Sequence, residues 1–466
     1  MLVAIASYGT RNDQYLMQLV RQYQSMPYQT HIVVLSNLAK DAGKGVEVLV
    51  GLPDEKDPWS LPFSHKAIFA SRRNDYDLFV YSEDDTLISE RNIRWFLELT
   101  TSLPKNKIAG FLRKEVDSDG LTYYPDVHHN FHWDPMSVTK DTGHTTASFS
   151  NEHAACYLMT RNHLEHAIAS GGFLVPPHQE KYDLLCTAAT DPYTQCGLRK
   201  VIGISRWDDC LVHHLPNKYI GTLGIADCEM QPQLAAMMEM AASGATSRAL
   251  VATEPRLKGW RLAKDYYEPA RTNATSLIPA PARRVLSVGC CWGATEERLA
   301  KAGKEVSAIP MDPIIGACAR ARNVRILQCD LTAALRDLME TKAQFDCVLL
   351  LDILHLVPEP KIFLHSLASV MAPGATAVIS VPNVNAIRIR WKKLTGSLEY
   401  RGAGRYDLSG VHAISLAQIR DWCAQAGFRA TRFVPAPAPR TAESGFRRFV
   451  PLRSRSSILA LAEHFN

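Results

Sequence analysis

Three acidic residues in a row, Glu83-Asp84-Asp85, follow the apolar run Leu78-Phe79-Val80-Tyr81 with one serine between them. Carboxylates at a strand end are aimed into a cleft, where their oxygens suit a hard divalent cation and, through it, a departing diphosphate. Arg11 is an early cation that could touch such a diphosphate. Transfer to an acceptor hydroxyl with inversion needs a carboxylate base. Asp183, Asp191 and Asp208-Asp209 are the candidates.

A second constellation begins at Val285-Leu286-Ser287-Val288-Gly289-Cys290-Cys291-Trp292-Gly293. Glycines between an apolar strand and a helix let the backbone approach a ligand closely. An acid at the end of the following strand holds ribose hydroxyls, and Asp312 after Glu305–Ile309 has that position. Asp330, after Arg325–Cys329, is placed to meet an adenine amino group, and Asp352 closes the apolar run from Phe345 to Leu351. A hydroxyl that receives a methyl group needs a proton acceptor, and imidazole serves near neutral pH. His412 is the first choice and His355 the second; a structural hydrogen bond is the competing role for either.

These residues need two α/β sheets to position them. Strand and helix patterns alternate from Leu2 onward and again from Arg284, the rhythm of largely parallel sheets with helices on their faces. The stretch Leu112–Ser150 reads as loop, crowded with His, Tyr and Trp, and Arg256–Tyr267 reads as a helix leading into the second domain. A length of 466 residues exceeds one ordinary core. The divisions expected are 1–228, a helical connector over 229–258, and 259–466. With 46% hydrophobic and 21% charged residues the chain is globular, and no apolar run is long enough to span a bilayer. The eleven cysteines contain no CxxC pair, which points to reduced thiols and a cytoplasmic setting. A net charge of +5 and the lack of a binding signature argue against nucleic acid as a partner. The basic tail Arg447–Arg455 leaves open contact with an anionic membrane surface beside the plainer reading of a solvated extension.

The second constellation resembles class I S-adenosylmethionine-dependent methyltransferases, from about Lys264 to Phe428. The resemblance implies S-adenosylmethionine held by Gly289, Gly293, Asp312, Asp330 and Asp352. Two positions depart from the family pattern: Ser287 stands for its first-strand acid and Cys291 for its central glycine. The segment from Asn383 to His412 resembles an insert of methyltransferases that act on sugars and small polar metabolites. The first constellation resembles the DxD motif of metal-dependent glycosyltransferases of the GT-A fold. By that resemblance Asp85 binds Mn²⁺ or Mg²⁺, Glu83 and Asp84 face the ribose and a metal-bound water, and His214 completes the metal shell of a nucleotide sugar. Asp183 resembles the base of inverting members. Together the resemblances imply a two-domain α/β enzyme, a GT-A-like sheet followed by a Rossmann-like methyltransferase sheet, that glycosylates and O-methylates a glycan or glycoconjugate. Two alternatives stand beside it: an O-methyltransferase whose first domain only binds glycan or nucleotide, and a scaffold with both sites decayed.

Overall fold

The computed structural model describes residues 1–141, 143–253, 256, 262–382, 406–436 and 457–464, and divides into two compact units, Met1–Ala245 and Thr246–Asn466. The connector expected over 229–258 is shared between them, since the helix Asp227–Ser243 lies in the first unit. A left-handed Gly244 (φ 66°) closes that helix, as glycine permits at a helix end.

The first unit is built on a five-stranded sheet in the order Cys156–Thr160, Leu78–Glu83, Leu2–Ser7, His31–Ser36, Val46–Val50. All neighbours run parallel except Cys156–Thr160, which lies antiparallel to Leu78–Glu83. The uniform burial of Leu2–Ser7 follows from its central place, with strands on both sides and both faces covered. The chain leaves Leu2–Ser7 toward one edge and returns on its other side at Leu78–Glu83. The acidic triplet therefore sits at the carboxyl end where the strand order reverses, a preferred ligand position in open α/β sheets.

The stretch expected as loop between Leu112 and Ser150 instead contains the strands Leu112–Val116, Thr122–Tyr124, Thr139–Asp141 and His144–Ala147. These belong to two further small sheets of four and five strands. They are three to five residues long and largely polar, too short for alternation to register.

The second unit carries a seven-stranded sheet ordered Arg325–Ile326, Glu305–Pro310, Arg284–Cys290, Phe345–Leu351, Met371–Pro382, Ser457–His464, Phe428–Ala436. The first five are parallel and the last two antiparallel to their neighbours. Its core gathers Val285, Leu299, Val306, Ala308, Cys347, Leu349 and Val378. The helix expected over Arg256–Tyr267 is not formed in its described part. Leu262 has a left-handed φ of 70°, and the Asp265 carboxylate accepts the Tyr267 amide at 2.9 Å, a local turn that competes with helical bonding.

Candidate functional site

In the second unit the strand Arg284–Cys290 ends in a turn whose Gly289 and Gly293 have φ of 78° and 89°. A Cβ at Gly289 would lie 2.4 Å from Ile353 Cδ1, and one at Gly293 would lie 2.7 Å from Ala319. The side where a Cβ would stand is filled by protein, so left-handed backbone and close packing both demand glycine here, while both residues also line a recess. Asp312 is 1% exposed and caps the helix Pro313–Ala321, its Oδ1 accepting the Ile314 and Ile315 amides at 2.9 Å each. Asp330 is displaced from the expected strand end. The strand stops at Ile326, and Asp330 is an exposed cap of the helix Leu331–Glu340, accepting the Ala333 amide at 2.7 Å.

Beside the turn lies a recess lined by Lys264, Glu268, Ser287, Gly289, Trp292 and Glu296. Behind it runs a chain of buried charges. Lys264 Nζ donates to Glu268 Oε1 at 2.9 Å and to the Leu351 carbonyl at 2.6 Å. Arg271 Nη1 donates to Glu268 Oε2 at 2.8 Å and to Asp352 Oδ2 at 2.6 Å. Ser380 Oγ accepts from Arg271 Nη2 at 3.0 Å and donates to Asp352 Oδ1 at 2.6 Å. Burial alone would raise the Asp352 carboxyl, but Arg271 and then Lys264 outweigh it and hold it at about 2. The same pairing overcomes burial to raise Lys264 and Arg271, so these charges are fixed across the neutral range. Asp352 itself takes a left-handed φ of 51°, a conformation its short polar side chain tolerates.

At the acidic strand end of the first unit, Asp84 Oδ2 accepts from Ser7 Oγ at 2.6 Å and Oδ1 from Asn12 Nδ2 at 2.8 Å. Burial, only partly offset by these bonds, raises its carboxyl to about 6. Glu83 Oε1 is buried without a hydrogen-bond partner. Burial and then the charge of Asp85 push Glu83 up to about 8. Burial opposes ionisation of Asp85 too, yet His214 outweighs it, and Asp85 lies below the usual carboxylate range. His214 Nε2 stands 3.5 Å from Asp85 Oδ2, while its Nδ1 meets Glu115 Oε1 at 2.5 Å. The structure thus brings together Glu83, Asp84, Asp85 and His214, and it is His214, 1% exposed, rather than the half-buried His213 that turns inward. Among the described residues no group of three His, Cys, Asp or Glu side chains could hold a metal ion, so the complete shell expected around Asp85 is not formed. Asp85 and His214 make only two members, and Glu115 occupies the far side of the imidazole. Asp183 is exposed and caps the helix Leu184–Thr194, accepting the Cys186 amide at 2.9 Å. Arg11 is exposed in the turn after Leu2–Ser7. The other candidate bases Asp191 and Asp209 are buried in ion pairs with Lys66 and with Arg91 and Arg206.

A family profile described as a methyltransferase domain matches residues 260–432. The match falls within the second unit and supports a methyltransferase domain there. The chain is similar to the ubiquinone biosynthesis O-methyltransferase of Xanthomonas campestris pv. campestris (strain B100), 33% identical over 109 residues. That match covers 23% of this chain and 46% of the relative, so the chain spans about half the length of that curated relative. The protein of the same name from Xanthomonas axonopodis pv. citri (strain 306) is 28% identical over 169 residues, covering 34% of this chain and 69% of the relative. Among solved structures, magnesium protoporphyrin IX methyltransferase from Synechocystis PCC 6803 is similar at 19% identity and a TM-score of 0.29, covering 41% of this chain and 78% of that one. Methyl transfer is the activity in the names of the matching family and of both curated relatives, and glycosyl transfer finds no support in them.

Within the second unit the two candidate bases sit side by side in the backbone: the His412 amide donates to the His355 carbonyl at 2.8 Å. His355 is 1% exposed, and its Nε2 meets the Leu262 carbonyl at 2.7 Å. Burial lowers its pKa to about 4. His412 is half-buried; its Nε2 meets the Val357 and Pro358 carbonyls at 3.0 and 3.2 Å, and its ring stacks on Tyr406 at 4.7 Å. Carbonyls can only accept, so Nε2 carries the proton in both rings and Nδ1 is the acceptor. Most of the insert between Asn383 and His412, and the basic tail, lie outside the described residues. Sequence reasoning missed Lys264, Glu268, Arg271, Glu296 and Ser380. For the first three the available signal was the run of charges just before the first strand, of which Lys264 fell inside the stretch read as a helix. No helix among the described residues is long and apolar enough to cross a membrane.

Proposed function

We propose that this chain is an S-adenosylmethionine-dependent O-methyltransferase acting on a hydroxyl of a small polar or sugar-bearing acceptor, with a first unit that binds the glycan or nucleotide part. The observation that carries the reading is the turn after Arg284–Cys290, where a recess with buried charges of both signs adjoins a capped acid at the next strand end. These residues fit the cofactor: an amino-acid end requires both signs of charge, and a ribose requires an acceptor such as Asp312. Gly289, Gly293 and Asp312 would hold it, with Asp352 acting through Arg271 and Asp330 at the outer rim. Bound there, S-adenosylmethionine supplies an electrophilic methyl group on sulfur. The named activity of the relatives, O-methyl transfer, supports oxygen as the acceptor atom. His412 is the base: its Nε2 is held by carbonyls, its Nδ1 is left to take the acceptor's proton, and His355 orients it through the backbone. His355 itself is too deeply buried and too weakly basic for the role. His412→Ala should lower kcat by about 10²–10⁴-fold while S-adenosylhomocysteine affinity stays unchanged. Single-turnover assays with hydroxylated acceptors check this; a rate within threefold of wild type removes His412, and product on nitrogen or carbon alone removes the O-methyl reading.

A second reading, glycosyl transfer by the first unit, is favoured by one observation: the triplet lies where strand order reverses and His214 turns toward Asp85. In it Arg11, Glu83 and Asp84 would meet a nucleotide sugar, Asp85 and His214 a Mn²⁺ or Mg²⁺ ion, and Asp183 the acceptor hydroxyl. The described side chains alone do not build a metal shell, so ion dependence is the point to test. Titration of UDP- and GDP-sugars with Mn²⁺ or with EDTA decides it. Equal binding in both, or no effect of Asp85→Asn, removes the metal role; no binding at all leaves the first unit without a nucleotide function.

A further inference from the structure

Ser287 lies in the middle of its strand, paired to Ala308 and Leu349, at the position where the sequence lacks the acid its pattern calls for. Its Oγ donates to Glu296 Oε1 at 2.6 Å. Glu296 comes from the first turn of the helix Ala294–Lys301, and its exposure is 4% against 3% for Ser287. Both side chains line the recess beside Gly289 and Trp292.

Three neighbouring acids, Glu268, Asp352 and Glu297, are compensated by cations. Glu268 is paired with Lys264 and Arg271, and Asp352 with Arg271. The adjacent Glu297 is paired with Lys301 and Arg322. Among the described residues no cation pairs with Glu296, whose hydrogen-bonded partners are the neutral Ser287 hydroxyl and Cys290 thiol. A buried carboxylate without a counter-ion is costly, so a fold that keeps one beside a recess is arranged for a cation to arrive. The helix N-terminus favours an acid in its first turn. Glu297 satisfies that preference from a far less enclosed position, so the dipole does not account for burying Glu296.

We propose that Glu296 is the acceptor for the α-ammonium group of the cofactor's amino-acid end, taking from the helix the place that Ser287 leaves unfilled on the strand. Ser287 holds the carboxylate through Oε1 and leaves Oε2 for the incoming N–H donors. The interaction is a charge-assisted hydrogen bond, with no covalent step. This inference rests on the S-adenosylmethionine reading of the recess.

The test is calorimetric titration of the full chain with two ligands that share the thioadenosine group. S-adenosylhomocysteine carries the α-ammonium; 5′-methylthioadenosine lacks the whole amino-acid end. Glu296→Gln should bind S-adenosylhomocysteine roughly 10–100-fold more weakly and methylthioadenosine as wild type does. Glu296→Asp keeps the charge but shortens its reach, and should show a smaller loss with the same selectivity; it serves if the Gln variant fails to fold. Equal weakening of both ligands, or of neither, overturns the role of Glu296 and leaves the recess as a cofactor site. Failure of wild type to bind either ligand overturns the cofactor reading itself, and this inference with it.

Discussion

At the end of Leu78–Glu83 three carboxylates crowd together, Glu83 carries a buried oxygen with no partner, and its carboxyl is driven up to about 8. At the end of Phe345–Leu351, Asp352 is equally enclosed but gripped by Arg271 and Ser380 and driven down to about 2. Burial pushes both acids the same way, so the difference comes from the partners. The second unit supplies Lys264 and Arg271 from the segment ahead of its first strand. In the first unit Arg113, the cation nearest in kind, is already engaged by Asp126. A compensated acid is framework, whereas an uncompensated one is a place for something from outside. By that criterion Glu83 and Glu296 are the open positions, and Asp352 belongs to the scaffold that holds the turn.

The largest effect should come from breaking the compensated side. Arg271→Ala leaves Asp352 and Glu268 with one cation fewer in a buried site, and should cost about 3–5 kcal/mol of the second unit's stability. Asp85→Asn loses the pairing with His214 but relieves repulsion within the triplet, and with the two opposed should change stability by less than about 1 kcal/mol. Urea unfolding followed by tryptophan fluorescence measures both. Comparable losses would mean that the two strand ends are not built differently.

The turns after the two first strands sharpen the contrast. Gly289→Ala introduces a Cβ against Ile353 on left-handed backbone, and should cost about 2–4 kcal/mol, overpacking and conformational strain together. Gly9, after Leu2–Ser7, has φ of 63°, but nothing lies within 4 Å of where its Cβ would stand. Gly9→Ala should therefore cost only the conformational part, about 1–2 kcal/mol. If the two variants unfold at the same denaturant concentration, the packing role of Gly289 is wrong.

Both parallel sheets were legible because their strands are continuous apolar runs separated by helical periodicity. Leu2–Ser7 and Phe345–Leu351 can be read directly, and the acids at their neighbours' ends stand out against them. The positions of Asp85 and Asp312 followed from strand ends, and that of His214 from the resemblance to GT-A glycosyltransferases. What escaped was everything set by tertiary pairing. Arg271 looks like a surface cation until Asp352 and Ser380, 81 and 109 residues later, close around it. Glu296 and Glu297 are adjacent and chemically alike, and only the sheet decides that one is buried and the other paired outside. Asp330 was read as an adenine contact at a strand end and Asp183 as a base ahead of a helix; both cap helices, a role that aspartate fills before any ligand is considered.

The smallest effect, and the most direct test of compensation, is the sign of the pH dependence. Glu83 has its folded pKa raised from 4.5 to about 8, so between those values the folded state binds more protons than the unfolded chain. Stability contributed by protonated Glu83 is therefore complete below about pH 4.5 and is lost as pH rises through 8. For Asp352, lowered from 3.8 to about 2, the order is reversed: its contribution is complete above about pH 4 and is lost as pH falls through 2. The slope from one group cannot exceed about 1.4 kcal/mol per pH unit, and neighbouring Asp84 and Asp85 share the proton with Glu83 and spread the transition. Glu83→Gln keeps the shape of the side chain but never ionises. Subtracting its stability curve from that of wild type between pH 4.5 and 9 should leave a falling line, with the variant gaining on wild type as pH rises. Asp352→Asn, measured over the same range, should leave a flat one, since Asp352 is ionised throughout. A flat Glu83 difference over that range would mean that a cation compensates that carboxylate after all, and the contrast between the two strand ends would disappear.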